Sequence, residues 1–238
     1  MRGAIPSSRD DCAILSQSFD FATALPPTTL MDLTLLLFTL GIVIISVIAH
    51  EVSHGYAADA LGDPTPRLAG RLTINPAPHF DPIGSFVIPL ITLLMGGFIF
   101  GWAKPVPYNS HNFRNERFGS ALVALAGPAA NIALALMVGI LIRFAPELGL
   151  GGSFIDIASQ VVFLNVVLAV FNLIPVPPLD GSKILFALMP YRFYNLQVML
   201  ERSWIISLMI AALFLWQFML PLVSSLFILF TGLSPAGM

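Results

Sequence analysis

The sequence predicts an all-α, polytopic membrane protein with about four full transmembrane helices, a re-entrant or broken segment and short membrane-associated strands. Three observations predict it. The 238 residues are 57% hydrophobic and only 10% charged, against about 25% charged residues in an average soluble domain. Four segments, roughly 30–50, 118–142, 154–174 and 204–230, reach the about 20 apolar residues that a hydrocarbon core requires. A fifth, Phe80 to Phe100, is as apolar, but Pro89 in its middle and Gly96-Gly97 near its end break a straight helix.

Composition also excludes. A formal net charge of −2 with scattered Lys and Arg gives no electrostatic case for nucleic acid. The single cysteine, Cys12, rules out an intramolecular disulfide framework and any Cys-rich zinc module. Any metal must be held by nitrogen and oxygen.

Taken in order, residues 1–29 form a polar tail with Asp10, Asp11 and Pro26-Pro27 and no apolar stretch long enough for a secretory signal. They read as disordered, or as lying upstream of a true start at Met31. Residues 30–200 read as the functional core and 201–238 as a C-terminal transmembrane segment. The first span, capped by Thr28 or Thr29, carries no charge from Leu33 to Ala49 and runs in register into His50-Glu51-Val52-Ser53-His54. Beyond it, Arg67–Ile74 and Trp102–Tyr108 are short, Pro-bounded and partly alternating; they read as strands or extended loops.

Eight of the eleven cations fall in three stretches: Arg67 and Arg71; Lys104, Arg114 and Arg117; and Lys183, Arg192 and Arg202. If all three are cytoplasmic, the positive-inside rule puts both termini outside. Arg143 is then the cation of the outer loop. Both flanks of residues 80–100 lie on the cytoplasmic side, so that segment is expected to re-enter rather than cross. Irregular backbone at membrane depth survives only against protein or a wet cavity.

His50 and His54, four residues apart, share one helix face and can hold one metal, and Glu51 beside them can take a proton from water activated there. His50 stands about 20 residues into the helix, roughly 30 Å along its axis, at or just inside the far edge of the hydrocarbon. A catalytic zinc needs a third protein ligand and an open position. His79 and His111 sit in Pro- and Asn-rich loops. Asp180 is better placed: it follows Asn172-Leu173-Ile174-Pro175-Val176-Pro177-Pro178-Leu179 and precedes Gly181, where three prolines stop the helix. The spans ending near 50 and 174 both run inward, which brings His54 and Asp180 to one depth.

His50-Glu51-Val52-Ser53-His54, the Gly127-Pro128-Ala129-Ala130-Asn131 turn, the Asn172–Gly181 segment and Gly101-Trp102-Ala103-Lys104-Pro105-Val106-Pro107 together resemble the site-2 protease family of intramembrane zinc metalloproteases, in its compact prokaryotic branch. The likeness runs in order over about residues 33–190. It implies that His50, His54 and Asp180 bind zinc, that Glu51 is the catalytic base, and that Asn131 and Asn172 lie near the site. Asn172 also shares a helix face with Asn165, so it reads either as an interhelical hydrogen-bonding residue or as a substrate or oxyanion contact. Gly127-Pro128 reads as a kink that permits close helix packing. The resemblance further implies transmembrane protein substrates that unwind before attack, with the segments near Arg71 and Val106 offering a strand edge for pairing. The rival reading is a membrane metal transporter or channel that uses the same His/Asp site.

Overall fold

The computed structural model describes residues 30–87, 91 and 103–233. The expected tail (1–29) and most of the expected re-entrant segment lie outside them. Among the described residues the chain is all helical. Residues 1–38 and 39–238 form two units; helix α1, Leu30–Ala60, begins in the first and carries the paired histidines in the second.

α1 continues ten residues beyond the expected end of the first span. It closes where Gly62 takes a left-handed conformation (φ 100°), with Gly62 N donating to Asp59 O (3.1 Å) and Asp63 N to Ala58 O (3.0 Å). That pair of bonds satisfies the last carbonyls, and glycine supplies the positive φ. A one-turn helix, α2 (Thr65–Leu68), follows with Pro66 in its first turn, a position where proline costs no hydrogen bond. Ala77–His79 forms a 3₁₀ turn, Ile83–Val87 a π-helical turn and Ser110–Asn112 another 3₁₀ turn.

No strand forms among the described residues. Of the two segments expected to be strands or extended loops, the first is partly consumed by α2, and Ala103–Asn109 runs without regular structure. Pro105 and Pro107 explain the second: they lack the N–H groups a ladder needs.

Helix α3 (Glu116–Arg143) starts at Asn115, whose side chain accepts from Phe118 N at 3.2 Å, a cap of the usual kind. Helix α4 (Gly152–Asn172) ends ahead of the proline run, and α5 (Asp180–Leu188) begins just after it. Two further helices, α6 (Tyr194–Arg202) and α7 (Trp204–Thr231), complete the chain. α1 over Leu37–Ala60, α3 and α4 are long and apolar enough to cross a membrane; in α7, Gln217–Thr231 is a shorter apolar stretch.

The main core lies between α3, α4 and α7. Ala135 and Ile142, Ala158, Val162, Val166 and Val170, and Met219, Val223, Phe227 and Phe230 are all buried there. Small residues set the approach: a Cβ at Gly139 would stand 2.9 Å from that of Phe230, so glycine lets α3 and α7 touch. A buried polar contact ties α4 to α1, where Asn165 Nδ2 donates to Ser46 Oγ at 2.9 Å. Such a bond in an apolar setting is worth about 0.6–2 kcal/mol.

Candidate metal centre

His50 and His54, one turn apart on α1, turn their rings to the start of α5, where Asp180 lies. His50 Nε2 is 3.0 Å and His54 Nε2 is 3.1 Å from the same oxygen, Asp180 Oδ2. All three side chains are buried. The two imidazoles stand edge to face, their centroids 4.6 Å apart at 90°. Their ligand atoms and that of Asp180 lie within 4.8 Å of one another.

Local sequence explains why these groups meet. The i,i+4 spacing stacks the histidines on one face of α1. Asp180 is brought in by Gly181, where a Cβ would fall 2.2 Å from Leu173 O and 2.5 Å from Ile174 O. Without a side chain there, α5 can start against the end of α4 and hold Asp180 over the rings. On α3, Gly127 plays the same part: a Cβ would lie 2.5 Å from both His50 Nε2 and His54 Cε1. The glycine expected to ease helix packing thus makes room for the imidazoles themselves.

The donor set fits zinc. Ligands at about 2.0–2.1 Å in a tetrahedron stand about 3.3 Å apart, close to the two observed separations. Two imidazole nitrogens and one carboxylate oxygen leave a fourth position, the pattern of a catalytic rather than a structural site. His54 is oriented as such ligands usually are, its Nδ1 donating to Val123 O at 2.6 Å, which leaves Nε2 for a metal. Asp180 Oδ1 has Lys183 Nζ at 3.6 Å. Neither Val123 O nor Lys183 was singled out in the sequence; a main-chain carbonyl has no residue signature, although a lysine one turn after a candidate ligand on a helix was open to reading.

Glu51 is half-buried beside the histidines, and its Oε2 accepts the main-chain N–H of Val106 at 2.9 Å. Asn131 stands one turn after Gly127 on α3, so it shares the face turned to the histidines. It is buried, and among the described residues neither atom of its amide has a hydrogen-bond partner. Asn172 is placed differently, half-buried with Nδ2 bonded to Leu168 O of its own helix at 2.9 Å. The interhelical role falls to Asn165.

The remaining histidines are apart from this group. His79 is buried, with Nε2 3.0 Å from Thr73 O, and His111 is an exposed partner of Glu116 at 3.0 Å. Near the site, Asp63 is fully buried and accepts from Thr65 N and Oγ1, Asn109 N and Asn112 Nδ2. Burial by itself raises its pKa, but the bonds from Thr65, Asn109 and Asn112 outweigh that and hold the carboxyl below its ordinary range.

Apolar helices of membrane length around a His, His, Asp ligand set, with a glutamate in the same helical turn, define a membrane metallopeptidase by class. Comparison with known proteins agrees. Residues 147–216 match the sequence profile of "Peptidase family M50". The chain is 38% identical to "Putative zinc metalloprotease YwhC" of Bacillus subtilis over 66% of its own length and 72% of the relative's. It is 34% identical to "Putative zinc metalloprotease Rip2" of Mycolicibacterium smegmatis and 32% identical to that of Mycobacterium tuberculosis H37Rv, spanning about half (52%) of each. No solved structure matches. The chain belongs to peptidase family M50, the site-2 proteases, and is a zinc-dependent metalloprotease. The transporter reading is not favoured.

Proposed function

We propose that the protein hydrolyses peptide bonds in or near the transmembrane segments of membrane-protein substrates, with His50, His54 and Asp180 holding zinc and Glu51 acting as general base. The observation that carries this is the meeting of both α1 histidines on one oxygen of Asp180, with Glu51 alongside in a chain of membrane-length helices. Zinc, when bound, acidifies water towards a pKa of about 7 and polarises a carbonyl oxygen.

Glu51 takes the proton of the attacking water and passes it to the leaving amine. Its Oε2 is held by the Val106 N–H, so Oε1 is the oxygen left to move the proton. Asn131, buried with an unpartnered amide, is suited to donate to the oxygen on which negative charge develops. Asn172 is the weaker candidate, since its N–H₂ already serves Leu168 O. A helical substrate hides its carbonyls in its own hydrogen bonds and must unwind locally before attack. Water and the opened substrate reach the site from the cytoplasmic side, in the orientation given by the cation distribution.

Co-expression of wild type and Glu51→Gln with a panel of single-span membrane proteins tests the reading. Wild type yields cleaved fragments; Glu51→Gln yields none while keeping zinc, and His54→Ala loses both zinc and cleavage. Substantial turnover by Glu51→Gln would sink the assignment.

A further inference from the structure

The segment Lys104-Pro105-Val106-Pro107-Tyr108-Asn109 lies across the histidine-bearing end of α1 and is tied down at three points. Lys104 N donates to His79 O at 2.9 Å, Val106 N to Glu51 Oε2 at 2.9 Å and Asn109 N to Asp63 Oδ2 at 2.6 Å. Both outer anchors are themselves fixed. His79 is buried, its ring is bonded to Thr73 O, and Arg71 grips the adjoining Pro78 carbonyl. Asp63 also holds Asn112 Nδ2 at 2.7 Å, and it closes the C-terminus of α1, the helix that carries Glu51.

The middle anchor is tight on both sides. Val106 is buried while Pro105 and Pro107 are exposed. A Cβ at Gly55 would stand 3.2 Å from Val106 Cγ1, so the valine seats against α1 one turn after Glu51. Prolines at 105 and 107 confine Lys104 and Val106 to extended backbone and fix their own φ, which stiffens the strand-like run without any ladder.

The donors can be counted. Those of Lys104, Val106 and Asn109 are committed and prolines 105 and 107 have none, which leaves at most the Tyr108 N–H to offer. None of these five groups is left to donate elsewhere. We propose that this segment is a rigid strap whose Val106 N–H aims the Glu51 carboxylate, making Val106 a positioning residue for the reaction. The inference rests on Glu51 being the base. It goes further by assigning what points the base: Oε2 is tethered, so Oε1 faces the attacking water. A base displaced by about 1 Å loses rate on the order of 10²-fold, so a three-point tether is proportionate to the task.

The test removes the Val106 N–H. Val106→Pro does so genetically; where that variant fails to fold, α-hydroxyisovalerate at position 106 replaces only the N–H by oxygen and keeps the side chain. Each is assayed beside Glu51→Gln on the single-span protein that wild type cuts most completely, with zinc content measured in parallel. The expected result is a fall in kcat of about tenfold or more in the ester, KM within about twofold and full zinc content. An arm that needs no substrate is the infrared carboxylate band of Glu51, isolated by ¹³C-glutamate labelling as wild type minus Glu51→Gln; it shifts in the ester. Unchanged kcat or an unchanged band in the ester overturns the strap while Glu51 stands as base, and loss of zinc overturns it in favour of a mere prop. Wild-type turnover by Glu51→Gln removes the base itself, and the strap's role with it.

Discussion

Gly127 sets how close α3 comes to the paired histidines. A single methyl there meets ring atoms of both at 2.5 Å, and neither ring can yield without leaving Asp180. Gly127→Ala should therefore lower zinc affinity by about 10–100-fold, the range seen when groups that orient metal ligands are altered, read by competition with a chromogenic chelator. Affinity equal to wild type would show that the imidazoles can retreat. Asp63 gives a second prediction at this scale. Its folded carboxyl releases its proton more readily than it would in the unfolded chain, so its contribution is fully present above the ordinary carboxylate pKa of about 3.9 and is lost as pH falls through the lower, folded value. Asp63→Asn should cost about 1–3 kcal/mol at neutral pH, and in thermal unfolding the gap to wild type should close below about pH 4. A gap independent of pH would mean that the charge is not what holds Asn109 and Asn112.

Between residues and molecule, the junction of α4 and α5 decides whether Asp180 reaches the histidines. The distance from Gly181 to Leu173 O leaves no room for a Cβ, and the atom met is main chain, which cannot swing aside. Gly181→Ala should shift α5 outward, reduce bound zinc and cleavage together, and lower stability by about 1–3 kcal/mol; a variant with full zinc content would argue that α5 is held by other contacts. Much of this was legible in advance. Apolar length marked four segments as spans, of which three qualify among the described residues while the last keeps a shorter apolar stretch, Gln217–Thr231; i,i+4 spacing and the proline stop picked out His50, His54 and Asp180. Less legible was what depends on main chain: Val123 O, the Val106 N–H and the closure of α1 at Gly62 involve groups that nearly every residue type carries. The alternation in Arg67–Ile74 and Trp102–Tyr108 read as strands or extended loops; helix α2 takes up the start of the first, and in the second Pro105 and Pro107 lack donors to which side-chain pattern is blind. Asn165 and Asn172 lie on one face, yet among the described residues Asn165 is the one whose amide bonds to a neighbouring helix, at Ser46, while that of Asn172 bonds within its own.

At the scale of the whole chain, the relative sense of the helices is fixed by side-chain bonds at both ends. Arg143, at the C-terminus of α3, donates from Nε to Phe230 O of α7 at 2.9 Å and also holds Leu229 O. The C-termini of α3 and α7 therefore lie together, with a cation on carbonyls that carry partial negative charge. Arg117, at the other end of α3, grips the carbonyls of Phe186, in the last turn of α5, and Met189, which follows it. α3 thus runs from the end that bears α5 to the end that bears Phe230, while Asp180 sits just after α4 finishes, against His50 and His54 of α1. The positive-inside reading of the three cation-bearing stretches expects such an alternation. We propose on that rule that the side bearing Asp180 faces the cytoplasm. In a Cys12→Ser background, Glu147→Cys should react with a membrane-impermeant maleimide in intact cells, because it lies in the exposed turn after Arg143. Arg192→Cys, exposed between α5 and α6, should react only after permeabilisation. The opposite pattern would invert the molecule and place the metal centre, with its supply of water and its access to unwound substrate, on the outer face.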